Sequence, residues 1–207
     1  MKNKLSFQTT EYDCGPTTLV NALRFLYERE EIVPELLKNI ALYTLDLYDD
    51  SGESGKSGTS RMAMMFLSNW FNHYAETKKF PIQTDFLISE QVYVGKHSKI
   101  VECLQQGGAV ILCVWLEDCK HYLLLTGVKE EEIFLFDPYD WEGSVDQKVI
   151  CSIEGEPYRY NRKVPMDRLN EIQPLMYALG KVEDREAMLL FNTNTRKTPE
   201  RSIEFFI

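Results

Sequence analysis

The sequence predicts an α+β domain in which a helical N-terminal part packs on a mostly antiparallel β-sheet. Two observations carry that expectation. Apolar residues recur at three- and four-residue spacing through the first half, whereas the second half holds short, continuous aliphatic and aromatic runs of strand length. Helices gathered first and strands later point to an antiparallel sheet, because a parallel sheet alternates the two. A length of 207 residues suits one domain. Its helical part is expected at about 1–106 and its sheet part at about 107–207.

The elements follow in order. In QTTEYDCGPTTLVNALRFL, Gln8 to Leu26, the residues Leu19, Leu23 and Leu26 fall on one side of a helix expected over 16–29. Pro16 suits its first position, where a missing N–H costs nothing, so Cys14 or Gly15 stands near the cap. Leu36, Leu37, Ile40 and Leu47 predict a second helix over 34–48. The polar stretch DDSGESGKSGTS comes next, then a helix over 60–76 with Thr59 or Ser60 as cap. A short helix over 98–106 closes on Gly107 and Gly108. AVILCVWL (109–116), HYLLLTGV (121–128) and EIFLFDPY (132–139) read as buried strands. EAMLLFNT (186–193) and SIEFFI (202–207) are further strand candidates. The polar stretch 140–165 reads as an irregular, mobile loop.

Composition excludes several functions. The net charge is −9, from 23 basic and 32 acidic residues, which disfavours nucleic acid or an anionic membrane as partner. No run approaches the ~20 apolar residues of a membrane helix, and the N-terminus has no secretory core. Five cysteines, an odd number with no CxxC pair, predict neither a disulfide scaffold nor a metal site, and they fit a reducing cytoplasm. No cofactor is expected. The stretch around Lys56 imitates a phosphate loop, but that pattern needs glycine five residues before Gly55 and this chain has Asp50. Nothing in the sequence sets the oligomeric state.

The chemistry centres on Cys14. A thiolate is the nucleophilic form of cysteine, and both a helix N-terminus and a neighbouring imidazolium favour it. Gln8 lies six residues upstream (14 − 8), so a short loop folding back would bring its amide to an oxyanion. Of the three histidines, His73 reads as a helix-surface residue and His97 as a solvated loop residue, while His121 opens a strand. A hairpin centred near residues 129–130 sets His121 against residue 138, or 137 or 139 for a one-residue shift. Asp137 therefore falls beside the imidazole, within about 5 Å. There it would hold the ring's tautomer and support its positive charge. Cys103, Cys113 and Cys151 are expected on a helix, in a strand and in a loop, all inert. Cys119 lies near His121 without a helix end behind it. Asp13, Gly15 and Trp141 are candidates for substrate contact, Asp13 being also suited to close its own loop. Trp115 reads as packing.

The segment QTTEYDCGPTTL resembles the N-terminal signature of the C39 peptidases, which are papain-like cysteine proteases. HYLLLTGV followed by FLFDPY resembles their second signature, and the resemblance covers roughly residues 5–140. It implies a papain-like fold and a peptide or protein substrate, a leader peptide among the candidates. By match of motif it implies Cys14 as nucleophile, His121 as base, Asp137 as orienter and Gln8 as oxyanion donor. The expected activity is hydrolysis of a peptide or amide bond through a thioester. An acyltransferase or peptide cyclase using the same cysteine, or a silent peptide-binding module, are the alternatives. Many members cut after a Gly-Gly leader and are fused to an export ATPase with membrane helices; this sequence has neither a membrane span nor room for an ATPase. The resemblance is not expected to extend into the tail from about 145.

Overall fold

The computed structural model describes residues 1–116, 118–141 and 149–198. In chain order the helices and strands are α1 (Cys14–Leu26), α2 (Pro34–Tyr43), α3 (Arg61–Lys78), β1 (Ile82–Ile88), α4 (Lys99–Gln105), β2 (Ala109–Leu116), β3 (Cys119–Lys129), β4 (Glu132–Phe136), β5 (Cys151–Ser152), β6 (Arg162–Pro165), α5 (Met166–Asn170) and β7 (Glu186–Asn192). All seven strands join one antiparallel sheet in the order β1-β7-β2-β3-β4-β6-β5.

The run AVILCVWL is apolar throughout because both faces of β2 are covered. Ala109, Ile111 and Cys113 pack with α1, α2 and α3 through Leu19, Leu23, Leu36, Ile40, Leu67 and Phe71. Val110, Leu112 and Val114 point the other way, toward Ile100, Val101, Leu123, Leu135, Leu169 and Tyr177. The two-residue alternation of a strand thus feeds two separate cores. Leu19 and Leu23 are fully buried, each contributing about 1.5–3 kcal/mol of transfer free energy. Thr18 Oγ1 donates to the Tyr122 carbonyl at 3.0 Å, which fixes the start of α1 against β3.

Several boundaries differ from expectation. The first helix begins at Cys14, so Pro16 is its third residue; an N–H there is still without an intrahelical acceptor, and proline is tolerated. It ends at Leu26, where Tyr27 turns extended. The second helix stops at Tyr43, and Leu45 at φ +55° turns the chain away, so Leu47 leaves the helical pattern. Ser60 is the cap of α3, its hydroxyl accepting from the Ala63 N–H at 3.1 Å. Strand β1 arises inside the supposedly helical part and was hidden because it is an edge strand with Gln83 and Asp85 exposed. The expected irregular loop at 140–165 contains β5 and β6, which extend the sheet beyond β4. Part of that loop, 142–148, and the strand expected at 202–207 lie outside the described residues.

The β3–β4 hairpin carries the register that matters. Lys129 pairs with Glu132 across a two-residue turn whose Glu130 has φ +58°. A bulge between Leu125 and Gly127 shifts the pairing by one, and the ladder ends at Leu124 and Phe136. Extending that register sets His121 opposite Tyr139 and Leu123 opposite Asp137. Asp137 is therefore His121's diagonal neighbour rather than its direct partner, on the same face because the offset is two residues. The bulge decides this, and no periodicity in the sequence marks it.

Candidate active site

Cys14 is the first residue of α1, with Asp13 before it. Asp13 does not cap the helix with its side chain. Its carboxylate closes the preceding loop instead, accepting from the N–H groups of Thr9 at 3.0 Å and Thr10 at 2.7 Å and from the Thr10 and Thr17 hydroxyls. Burial acts to raise its pKa, but the Thr9 and Thr10 donors outweigh burial and hold it below the usual carboxylate range. The expectation that Asp13 orders its own loop is met, and its oxygens are taken up by that work. Gly15 is a packing position: a Cβ there would stand 2.6 Å from Thr59 Oγ1. Only glycine lets α1 approach the 57–60 loop this closely, and Thr59 Oγ1 in turn accepts the Leu45 N–H at 3.1 Å.

The loop closed by Asp13 brings Gln8 back to the sheet. The Gln8 N–H donates to the Pro138 carbonyl at 2.8 Å, one residue beyond Asp137. Its side-chain Nε2 donates to the Thr10 carbonyl at 2.8 Å, which fixes the orientation of the amide. Nε2 carries a second hydrogen. Among the described residues, Gln8 Oε1 is buried without a hydrogen-bond partner.

His121 and Asp137 meet as the diagonal register requires. Nε2 of the ring lies 2.7 Å from Asp137 Oδ1, with 3% of His121 and none of Asp137 exposed. Past Leu124 and Phe136 the strands no longer pair, and the N-terminal loop and the start of α1 close on that opening. The Cys14 side chain lies near enough to the His121 ring to favour its protonated form. With Nε2 on the carboxylate, Nδ1 is the ring nitrogen left for another partner. Burial alone would lower the His121 pKa. The Asp137 charge, its hydrogen bond and the Cys14 sulfur outweigh burial and push it up to about 10. Burial likewise acts to raise Asp137, but the imidazolium and the donors around the carboxylate win and hold it low.

Those donors saturate the carboxylate. Oδ1 also accepts the Tyr139 N–H at 2.8 Å, and Oδ2 accepts the Trp141 indole N–H at 3.1 Å and the Tyr177 hydroxyl. Asn161 clamps the backbone on both sides, accepting the Asp137 N–H and donating to its carbonyl, each at 2.8 Å. Trp141, a candidate for substrate contact, thus has its polar atom on Asp137. Trp115, expected as packing, instead lines the cleft at Cys14. Sequence reasoning missed Asn161 and Tyr177 because nothing local marks them. The one available signal was for Trp141, an aromatic four residues after Asp137 (141 − 137).

The cleft beside Cys14 has a volume of about 460 Å³ and is bounded by Thr59, Cys113, Trp115, Lys120, Tyr122 and Glu186 among others. Glu186 is held at its wall by the Tyr122 hydroxyl and by Arg61 Nε at 2.5 Å. The remaining cysteines stand apart in character. Cys103 is buried in α4, where loss of solvent pushes its thiol up to about 12. Cys113 is buried in β2 and burial raises it further. Cys151 lies in β5 rather than in a loop, and Cys119 is exposed at the start of β3. His73 and His97 are both exposed, as expected. Lys56, in the stretch that imitates a phosphate loop, is paired with Glu53. Among the described residues no cluster of His, Cys, Asp and Glu is suited to a metal ion, and no helix is long and apolar enough to cross a membrane.

Cys14 thus stands at a helix start, and His121 meets the buried Asp137 carboxylate. The family model for the Peptidase_C39 like family matches residues 2–166, most of the chain and all three of these residues. The chain belongs to the Peptidase_C39 like family. Its layout is papain-like, with the cysteine-bearing helix packed on an antiparallel sheet that carries the histidine and aspartate. Among solved structures it is similar to the peptidase domain of Streptococcus mutans ComA, at 14% identity and a TM-score of 0.40, covering 91% of this chain and 98% of that one. It is also similar to a double glycine motif protease from an AMS/PCAT transporter, in complex with its leader peptide, at 12% identity and a TM-score of 0.41, covering 92% of this chain and 94% of that one. No curated protein matches the C39-like chain.

Proposed function

We propose that this C39-like protein is a cysteine peptidase that hydrolyses a peptide or amide bond through Cys14, His121 and Asp137. The observation that carries the reading is the His121 ring held on the Asp137 carboxylate at 2.7 Å, with the Cys14 side chain near enough to favour its protonated form. In this mechanism the ring exists as imidazolium and the sulfur as thiolate, a charge pair favoured by Asp137 and by the N-terminus of α1. The sulfur attacks the carbonyl carbon and the π electrons move to oxygen. The second Nε2 hydrogen of Gln8 and the Cys14 backbone N–H stabilise that oxyanion. Collapse of the intermediate expels the amine, which takes the Nδ1 proton of His121, and leaves a Cys14 thioester. His121, now neutral, accepts a proton from water as the hydroxyl attacks the thioester carbon, releasing the acid and restoring the ion pair.

A peptide is the substrate class this reading assigns, and the family supports it. The test is alkylation at neutral pH followed by peptide mapping, together with cleavage of a peptide library. Cys14→Ala is expected to lose the fast-reacting thiol and all cleavage, while Cys119→Ala keeps both. Retention of the fast thiol in Cys14→Ala and its loss in Cys119→Ala would reverse the assignment. Product masses carrying an added amine in place of water would make the enzyme an acyltransferase.

A further inference from the structure

Of the four donors on Asp137, the Tyr177 hydroxyl comes from furthest along the chain, forty residues on. Tyr177 also lies outside the residues matched by the family model. It is fully buried and sits at φ +66°, in the left-handed region that a bulky side chain rarely enters. Its surroundings impose that conformation. The Tyr177 N–H donates to the Trp115 carbonyl at 2.7 Å and the Trp115 N–H to the Ala178 carbonyl at 2.8 Å, so the segment is pinned along the end of β2. The phenol oxygen accepts the Trp141 indole N–H at 3.2 Å, which leaves its own proton for Asp137 Oδ2.

We propose that Tyr177 is a positioning residue for the reaction: its hydroxyl locks the rotation of the Asp137 carboxylate so that Oδ1 faces His121, and keeps that carboxylate ionised. The inference rests on the Cys14–His121–Asp137 reading above. Without that hydroxyl Oδ2 keeps only the Trp141 N–H, the carboxylate is less firmly held, and it is easier to protonate, because a carboxylate is held ionised by the donors it accepts. Once protonated it no longer supports the imidazolium on which the proposed reaction depends. The other titratable or charged groups around the pair are Cys14 from α1, Tyr139 with its ring centroid 6.5 Å from that of His121, and Arg162 of β6, which lies 5.2 Å from the Trp141 ring. None of them changes in Tyr177→Phe, which removes one oxygen from a buried ring.

The experiment measures the rate of Cys14 alkylation by iodoacetamide against pH in the full chain, by peptide mapping, alongside the thermal midpoint. The wild type is expected to show enhanced alkylation on the acid side of neutrality. Tyr177→Phe is expected to fold, with the acid limb of the profile moved up by about one pH unit. Trp141→Phe should move it the same way by less, since its single N–H is shared between Oδ2 and the Tyr177 oxygen, and it carries the test if Tyr177→Phe does not fold. A loss of packing alone would lower the midpoint temperature and leave the limb in place. A variant profile that superimposes on an enhanced wild-type profile overturns the role of Tyr177 and leaves the Cys14 reading standing. A wild-type profile with no enhancement overturns both.

Discussion

Two clefts of this molecule differ by more than a factor of two in size, and the proposed chemistry lies at the smaller one. The larger, about 1040 Å³, lies between the N-terminus, the end of α1 and the bulged part of the β3–β4 hairpin. Lys2, Phe25, Val128, Phe134 and Tyr160 help to line it. Its aromatic and aliphatic walls bring no nucleophile to a base. The smaller, about 460 Å³, opens on Cys14. Volume reports where packing is loose, whereas catalysis requires polar groups aimed at one point by a rigid frame. At the proposed site that frame is the start of α1 and the ends of β3 and β4.

The sharpest way to break this comparison is to exchange the key residues. Cys14→Ala is expected to lower kcat/KM by about 10⁴-fold or more on any peptide the enzyme cleaves, whereas Lys2→Ala at the larger cleft should leave it within about twofold. Comparable losses from the two variants would mean that the larger cleft takes part. Asp137→Asn keeps the shape but removes the charge behind His121, and a loss of kcat of up to about 10⁴-fold is expected. Steady-state kinetics at neutral pH decide it; wild-type turnover in this variant would make the aspartate a packing residue.

Gly15→Ala tests the frame rather than the chemistry. Its methyl would meet Thr59, and a loss of about 1–3 kcal/mol is expected from forcing α1 and the 57–60 loop apart. Denaturant unfolding reads this directly, and unchanged stability would show that the contact relaxes freely. Smaller still is the effect of pH on the buried pair. His121 has a raised pKa when folded, so its contribution is complete below the unfolded value of about 6.5 and is lost as pH rises through about 10. Asp137 is held low, so its contribution is present above about 3.9 and is lost as pH falls through the depressed folded value. The stability difference between wild type and Asp137→Asn should therefore narrow toward both extremes. A difference independent of pH would exclude an ion pair. At the larger cleft, Lys2→Ala removes a donor to the Phe25 carbonyl at the end of α1, at an expected cost of about 1 kcal/mol in the same assay.

Legibility from sequence followed the range of the interaction. The helix bearing Cys14 and the doubly buried strands β2, β3 and β4 announce themselves through local spacing, because burial on one or two faces imposes a short period. The edge strand β1 does not, since half its residues face water and its partner β7 lies a hundred residues away. Asp13 was legible as the closer of its own loop, because its partners Thr9, Thr10 and Thr17 are all within four residues. Trp141 and Trp115 exchanged their expected surroundings, because an indole's neighbours depend on which loop folds over it.

The sequence by itself determined a cysteine at the start of the first helix and a hairpin that returns Asp137 to the neighbourhood of His121, since both follow from short-range periodicity and turn length. Tertiary structure alone decided that the two carboxylate oxygens are filled by Tyr139, Trp141 and Tyr177, that Asn161 clamps the aspartate's backbone, and that Gln8 is tied to Pro138. These contacts join segments separated by up to some 130 residues. Each depends on the sheet having already formed, and hydrogen-bond partners brought together in that way leave no trace in local composition.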